Sequence, residues 1–132
     1  MKIKGKVLVK GIAEGLLLPS KQPLSFLGGV DPATGMVRDR AHELYGTMLK
    51  GKILALPYTV GSSVGAYIIY GIAKNGVGPS GIITELGDIN LVSGCAVAGT
   101  PLISGISIDT ILKYKGVKAK IDAETESLIL SD

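Results

Sequence analysis

Residues 54–76 read LALPYTVGSSVGAYIIYGIAKNG, and this stretch contains a buried-strand pattern followed by a helical one. The apolar run ends at Pro57, and a glycine and two serines follow it at Gly61–Ser63. Apolar residues then resume with the three- and four-residue spacing of one helix face, at Val64, Tyr67, Ile68, Gly71 and Ile72. Asn75-Gly76 is a typical helix stop. The stretch therefore predicts a β-strand, a tight turn and a helix.

Further strand and helix patterns follow along the chain. GIIT (81–84) and PLIS (101–104) are apolar runs typical of buried strands, and DINLVSGCAVAG (88–99) predicts a helix between them. IDTILKYKG (108–116) predicts one or two helical turns with Asp109 as the cap. Together with the opening stretch, the order is β-α-β-α-β. This order predicts a short parallel sheet with helices packed against it.

Both ends of the chain are rich in strand patterns. KIKGKVLVK (2–10) and EGLLLPS (14–20) each predict a strand, and VKAKIDAETESLIL (117–130) predicts a hairpin that turns at 123–126. A parallel core with an added β layer is a small three-layer α/β arrangement. The sequence therefore predicts one α/β domain spanning 1–132.

Composition limits the classes of function. Hydrophobic residues make up 46% of the 132 and charged residues 19%, which is typical of a compact globular chain. The formal net charge is +3, but the lysines are spread over both ends without interleaved aromatic residues. This distribution favours a solvated lysine surface over a nucleic-acid site. No apolar run approaches the ~18 residues of a membrane span.

The chain contains one cysteine, Cys95, and one histidine, His42. A single cysteine excludes an internal disulfide and fits a reducing compartment, so we expect a cytoplasmic protein. One cysteine and one histidine also cannot build a zinc or iron–sulfur site, so we expect no metal site in this chain alone. Cys95 stands among Ala and Val and is expected to be a small core residue. An isolated histidine such as His42 is more often packed or solvated than a ligand.

Residues 20–51 carry few regular patterns. GGVDPATG within this segment is dense in turn residues, and Arg38, Arg40 and His42 follow it. A loop this long in a compact domain is commonly functional. We therefore predict that the loop 27–46 lies at a partner interface together with the turn 61–65.

GSSVG (61–65) matches G-x-S-x-G between a predicted strand and helix, the context of a hydrolase nucleophile centred on Ser63. The order of residues opposes that hypothesis, because the single histidine precedes the serine. Two other interpretations remain open at this point. The serines could cap the helix, or the glycine-rich turn and helix N-terminus could bind an anion or stabilise a serine alkoxide.

Two stretches together resemble one family. LSFLGGVDPATGMVRDRAHELYG (24–46), followed by GKILALPYTVGSSVGAYIIYGIAKNGVGPSGII (51–83), is similar to the small subunits of the aconitase X family, and especially to the archaeal members that act on phosphomevalonate. The G-G-V-D-P-x-T-G and G-S-S motifs are individually modest signals. Their order and their spacing of roughly thirty residues are specific, and the similarity covers nearly the whole chain.

The resemblance implies a swivelling β/β/α domain that closes over an active site. It implies a heterodimer in which a large subunit holds a 4Fe-4S cluster by its cysteines and makes most of the substrate contacts. The implied reaction is the dehydration of (R)-5-phosphomevalonate to trans-anhydromevalonate 5-phosphate in the mevalonate route to isoprenoids. The first serine of the Gly-Ser-Ser motif is the proton acceptor in such enzymes, which is Ser62 here. Gly61 and Ser63 would then contact the substrate.

Two alternatives remain open from the sequence. Another aconitase X-type dehydratase, with a hydroxyproline-like substrate, would keep Ser62 and change the substrate. A non-catalytic binding or regulatory module would use the serines only to cap the helix.

Overall fold

The computed structural model describes residues 1–61 and 63–131. Within these residues the chain forms eight strands, all in one sheet. The strands are β1 (Lys2–Lys4), β2 (Lys6–Val9), β3 (Ile12–Pro19), β4 (Lys52–Leu56), β5 (Gly81–Thr84), β6 (Leu102–Ser104), β7 (Lys118–Asp122) and β8 (Ser127–Leu130). The helices are α1 (Phe26–Gly29), α2 (Val64–Lys74), α3 (Ile89–Ala98) and α4 (Ile108–Ile111), with a 3₁₀ turn at Leu112–Tyr114.

The predicted parallel core is confirmed. The sheet order is β1-β8-β7-β3-β4-β5-β6-β2, and β3, β4, β5 and β6 run parallel to one another. The helices α2 and α3 connect successive parallel strands and pack against each other. The remaining pairs are antiparallel, including the predicted terminal hairpin of β7 and β8. The α/β class expected from the sequence is therefore the observed one.

The N-terminal segment connects the two ends of the sheet. The sequence predicted one strand over 2–10, but the chain divides at Gly5 into β1, which pairs with β8, and β2, which pairs with β6. A Cβ atom at Gly5 would lie 2.7 Å from Ile103 Cγ1 and 2.8 Å from the Ser104 carbonyl oxygen. Only a glycine fits so close to β6 without a shift of the backbone. The sheet therefore curls until the strands at its two ends are joined by one residue.

Two apolar cores lie on the two faces of this curled sheet. Along β4, Leu54 and Leu56 pack toward the helices, whereas Ile53 and Ala55 belong to a second cluster with residues of β7 and β8. Strands buried on both faces have continuous apolar sequences, which is why KILAL lacks alternation. The parallel and antiparallel parts thus face each other across the second core, and the helices form a third layer. This is the β/β/α layering that the resemblance implied.

Two local predictions were wrong. Asp109 does not cap α4, because Ser107 occupies the N-cap position without a side-chain cap bond. The Asp109 carboxylate lies in the first turn and forms an exposed ion pair with Lys21 Nζ at 3.0 Å. The second concerns the apolar face of α2. The helix itself is confirmed, but Val64 and Tyr67 of the predicted face are exposed, and the buried residues are Ile69 and Ile72.

The helices are short compared with the thickness of a lipid bilayer. Within residues 1–61 and 63–131, none of the helices is long and apolar enough to span a bilayer.

Candidate functional site

The candidate site lies where the parallel strands end. The carboxyl ends of β3, β4 and β5 meet at one edge of the sheet, and α2 and α3 begin there. We call this region the carboxyl edge. Open α/β sheets bind ligands outside the carboxyl ends of their strands, beside the first turns of the following helices. Gly61 and Ser63 lie at this edge.

Gly61 and Ser63 lead the chain into the start of α2. Gly61 has φ of +126°, a conformation that favours glycine, and Ser63 occupies the N-cap position of α2. The Ser63 side chain is exposed and makes no cap bond, so it does not serve as the capping serine that one interpretation expected. Ser62, the predicted proton acceptor, lies outside the described residues.

The loop after β3 is joined to the loop after β4. Leu24 forms a parallel bridge with Thr59, and the Val60 N–H donates to the Leu24 carbonyl oxygen at 3.1 Å. Ser25 Oγ donates to the Leu27 carbonyl oxygen at 2.8 Å. These bonds fix the segment before Phe26 against the glycine turn.

A cleft separates the first turns of α2 and α3. Phe26, Gly61 and Ala66 line one side, and Asp88 and Asn90 line the other. Its volume is about 10 Å³, which is about the space that one water molecule needs. An organic substrate cannot be enclosed by this cleft, because the cleft has room for about one water molecule. A site for such a molecule would therefore need a second protein surface over the carboxyl edge.

The two helix N-termini differ in electrostatics. Asp88 caps α3: its Oδ1 accepts the Leu91 N–H at 2.9 Å, and its Oδ2 accepts the Thr59 hydroxyl at 3.0 Å. In α2 there is no acidic residue in the first turn. The partial positive charge of the α2 N-terminus is thus not offset by a carboxylate of its own first turn. This end of α2 is suited to stabilise an anion beside the glycine turn.

Thr59, Asp88 and Asn90 were not predicted as site residues. Each stands shortly after an apolar run that was correctly predicted as a strand. Polar residues that follow parallel strands come together at the carboxyl edge. The position of these three residues after predicted strands could therefore have identified them as site residues.

His42 is a packed residue. It is buried, its Nδ1 accepts the Leu44 N–H at 3.0 Å, and its Nε2 faces the Gln22 carbonyl oxygen at 3.4 Å. Acceptance at Nδ1 leaves the proton on Nε2, which then donates to Gln22. Both ring nitrogens are engaged, so His42 is not placed to serve as the base of a Ser63 hydrolase.

The loop 27–46 is folded against the rest of the chain. Bridges between Val30 and Val37 and between Met36 and Met48 order it, and the Arg38 N–H donates to the Gly29 carbonyl oxygen at 2.9 Å. Arg38 Nε also donates to the Gly28 carbonyl oxygen at 3.3 Å. The loop is therefore an ordered part of the domain, and its role at an interface stays a prediction.

Cys95 is confirmed as a core residue. It is fully buried, and burial, with a smaller contribution from the Asp88 charge, raises the pKa of its thiol from 9.0 to about 12. A buried, protonated thiol is a poor metal ligand. In the part of the chain that the structure describes, no group of three or more His, Cys, Asp or Glu side chains could hold a metal. These residues do not fit an iron–sulfur cluster.

Known proteins resemble the chain over its whole length. The family model described as "Aconitase X swivel domain" matches residues 2–130. The phosphomevalonate dehydratase small subunit of Pyrococcus furiosus is 48% identical over 124 residues, which cover 94% of this chain and 91% of that protein. The protein of the same name from Methanocaldococcus jannaschii is 45% identical over 125 residues, covering 95% and 94%. The crystal structure of Thermococcus kodakaraensis aconitase X in its holo form superimposes with a TM-score of 0.94 at 36% identity, covering 100% of this chain and 99% of that one.

Proposed function

The chain belongs to the aconitase X swivel domain family, and from this membership we infer that it is the small subunit of a phosphomevalonate dehydratase. It is a component of a hydro-lyase in the mevalonate pathway and is active only with a large subunit. The observation that carries this function is 48% identity to a protein of that name across 94% of the chain. The carboxyl edge supports it, because a cleft of about 10 Å³ needs a second surface to enclose a substrate.

The reaction we propose is the dehydration of (R)-5-phosphomevalonate to trans-anhydromevalonate 5-phosphate. A base removes a proton from the carbon beside the carboxylate, the C–H electron pair forms the double bond, and the C–O bond of the hydroxyl group on the next carbon breaks. The leaving hydroxide takes up one proton and is released as water, and the protonated base returns its proton to solvent. The base contributes roughly 10²–10⁴-fold to such a step. We assign this role to Ser62, by its position in the Gly-Ser-Ser motif.

A serine hydroxyl is a weak base unless its alkoxide is stabilised. The N-terminus of α2 supplies a partial positive charge, and its first turn contains no acidic residue to offset it. Gly61 and Ser63 flank Ser62, and we propose that the Gly61 backbone and the exposed Ser63 hydroxyl contact the substrate. The same α2 end would favour the carboxylate or phosphate of the substrate.

The iron–sulfur cluster is proposed to lie on the large subunit. Cys95 is buried with a raised pKa, and the described residues hold no cluster of metal-binding side chains. The large subunit would therefore carry the 4Fe-4S cluster, and this chain would supply the base. We further propose that 1–132 moves as one swivelling domain. The cytoplasmic location expected from the single cysteine stays a prediction.

The decisive experiment is co-expression of the chain with its large subunit, followed by anaerobic purification and assay. We expect a heterodimer that converts (R)-5-phosphomevalonate to a product one water lighter by mass spectrometry. Activity on hydroxyproline without activity on phosphomevalonate would replace the substrate assignment. A chain that recruits no large subunit would favour a non-catalytic module.

The isolated chain provides the control. Reconstituted anaerobically with iron and sulfide, it is expected to stay colourless and inactive. A stable brown species with a stoichiometric cluster would contradict the assignment of the cluster to the partner.

A further inference from the structure

Charged residues avoid one continuous part of the chain. The sequence has 14 basic and 11 acidic residues, but residues 53–108 contain only Lys74, Glu85 and Asp88. This segment includes α2, α3 and the loops after β4 and β5 at the carboxyl edge. A surface helix usually carries charges on its outer face, so two helices with so few charges need a physical reason.

Large apolar side chains are exposed around the carboxyl edge. We call them the apolar rim: Leu27, Tyr58, Val60, Leu86 and Ile89. Four of them either line the cleft beside Gly61 or adjoin a residue that does, since Leu27 follows Phe26 and Ile89 follows Asp88. Ile89 is 79% exposed although it begins a helix. Single exposed apolar residues are ordinary, but a group around one site marks an interaction surface.

A groove between α2 and α3 continues from the rim. We call it the helix groove; its volume is about 430 Å³, and it reaches from Ser63 and Asn90 to Tyr70 and Val97. Tyr67 in its wall is 74% exposed, and Val97 is 70% exposed. Asn90 lines both the cleft and the groove, so the two form one continuous surface. Tyrosine is among the residue types that are enriched as anchors in protein interfaces.

Asp88, which precedes Ile89 of the rim, already has hydrogen-bond partners. Both carboxylate oxygens of Asp88 accept hydrogen bonds, from Thr59 and from Leu91. Covering Asp88 would therefore leave neither of its carboxylate oxygens without a hydrogen bond. The centres of protein interfaces are depleted of charge in the same way.

We propose that the apolar rim and the helix groove together form the docking surface for the large subunit. This rests on the proposed function, because a partner that completes the active site must cover the carboxyl edge and therefore meets the rim first. The helix groove extends the same contact away from the site. The partner's matching surface is apolar and largely uncharged, and it inserts side chains between α2 and α3.

The test uses three substitutions that each add one charge at an exposed apolar position without opposing the local structure. Ile89→Asp adds an acid at the first turn of α3, and Val97→Lys adds a base at its last turn, so both favour the helix dipole. The matched control is Ile12→Lys on β3, where residue 12 is 59% exposed and stands opposite Asp122. Each variant is co-expressed with the large subunit. The fraction of heterodimer is then measured by mass photometry over a dilution series, together with turnover on phosphomevalonate.

Ile89→Asp and Val97→Lys are each expected to weaken association by at least about 10-fold, and Ile12→Lys by less than about twofold. Turnover per heterodimer should recover at high concentration for Val97→Lys, because this residue lies away from the turn. If both test variants associate like Ile12→Lys while the wild-type complex is active, the docking surface is wrong and the proposed function stands. If the wild-type chain forms no active complex, both fail. If the isolated chain instead forms a homodimer that the two test variants disrupt while the heterodimer is unchanged, the surface binds a second copy and the proposal is overturned.

Discussion

The segment 53–108 and the strands at the two chain ends share one sheet but expose opposite kinds of surface. The first exposes Tyr67, Ile89 and Val97 and contains three charged residues. The second exposes lysines such as Lys2, Lys4 and Lys118. Both halves bury complete apolar faces, so stability does not require the apolar exposure of the first half. We call the segment 53–108 the charge-poor half. The difference indicates that this half makes contacts outside the chain, whereas the strands at the chain ends close the sheet.

The largest expected effect is on turnover and comes from the serines at the start of α2, in the charge-poor half. Ser62→Ala in the assembled complex should lower turnover by at least about 100-fold, the low end of general base effects, while assembly stays near normal. Ser63→Ala should cost less turnover and act more on substrate affinity, and it should change stability by less than about 0.5 kcal/mol because its hydroxyl makes no cap bond.

Turnover and melting temperature of both serine variants separate the hypotheses. Near wild-type turnover in Ser62→Ala would remove the catalytic assignment. A dominant effect of Ser63→Ala on dehydration would assign the base to Ser63 in place of Ser62. A loss of stability alone in both variants would favour capping.

The second prediction concerns the stability of the strands at the chain ends, where Gly5 separates β1 from β2. Gly5→Ala places a Cβ against the Ser104 carbonyl oxygen and Ile103, so we expect a loss of about 1–3 kcal/mol in the free energy of unfolding. Urea denaturation of the isolated chain measures it, with the exposed neighbour Lys4→Ala as the control. Turnover of the complex that still assembles should change little. A large loss of turnover at unchanged stability would contradict the view that the strands at the chain ends serve stability and the charge-poor half serves function.

The third prediction is a pH dependence of stability. The pKa of Cys95 is about 12 in the folded chain and near 9.0 in the unfolded chain, because burial disfavours the thiolate. Above pH 9.0 the unfolded chain therefore releases a proton that the folded chain keeps, and stability falls as pH rises. Relative to Cys95→Ala, the wild type should lose up to about 1.4 kcal/mol per pH unit in this range. Parallel stability curves for the two proteins would contradict a buried, protonated thiol.

The smallest effect compares two glycines in the helices of the charge-poor half. A Cβ at Gly71 meets nothing within 4 Å, so Gly71→Ala should stabilise the isolated chain by about 0.5–1 kcal/mol through helix propensity. At Gly94 a Cβ would lie 3.0 Å from Ala66 Cα, so Gly94→Ala should separate α2 from α3 and destabilise the chain. Thermal melts of both variants measure the difference. Equal shifts would mean that the helix packing is looser than described.

The sequence predicted the parallel core because its information is local. The apolar runs of β4, β5 and β6 and the glycine stops of α2 and α3 lie within a few residues of the elements they define. The division at Gly5 was missed because the alternation of 2–10 continues through it. The choice of β8 and β6 as partners depends on residues roughly a hundred positions away.

The buried face of α2 was also misplaced, and for a related reason. The spacing placed Val64 and Tyr67 on the same helix face as Ile72, but the structure exposes both of them and buries Ile69. Hydropathy cannot distinguish an apolar residue that faces its own core from one that faces a partner. For the site, the residues showed a turn at a helix start, whereas the role of Ser62 came only from the family resemblance.

The pairing of β1 with β8 has a consequence for synthesis on the ribosome. Ile3 pairs with Leu128, so the strand at the start of this chain has no neighbour until the opposite end has been made. Long sequence separations of this kind slow folding, and an unpaired strand is open to association with other chains. Lys2 and Lys4 place repelling charges on that strand during the interval, which is a common protection of strand edges. Charge on β1 thus protects the nascent chain, and β1 keeps the position of an end strand in the folded sheet.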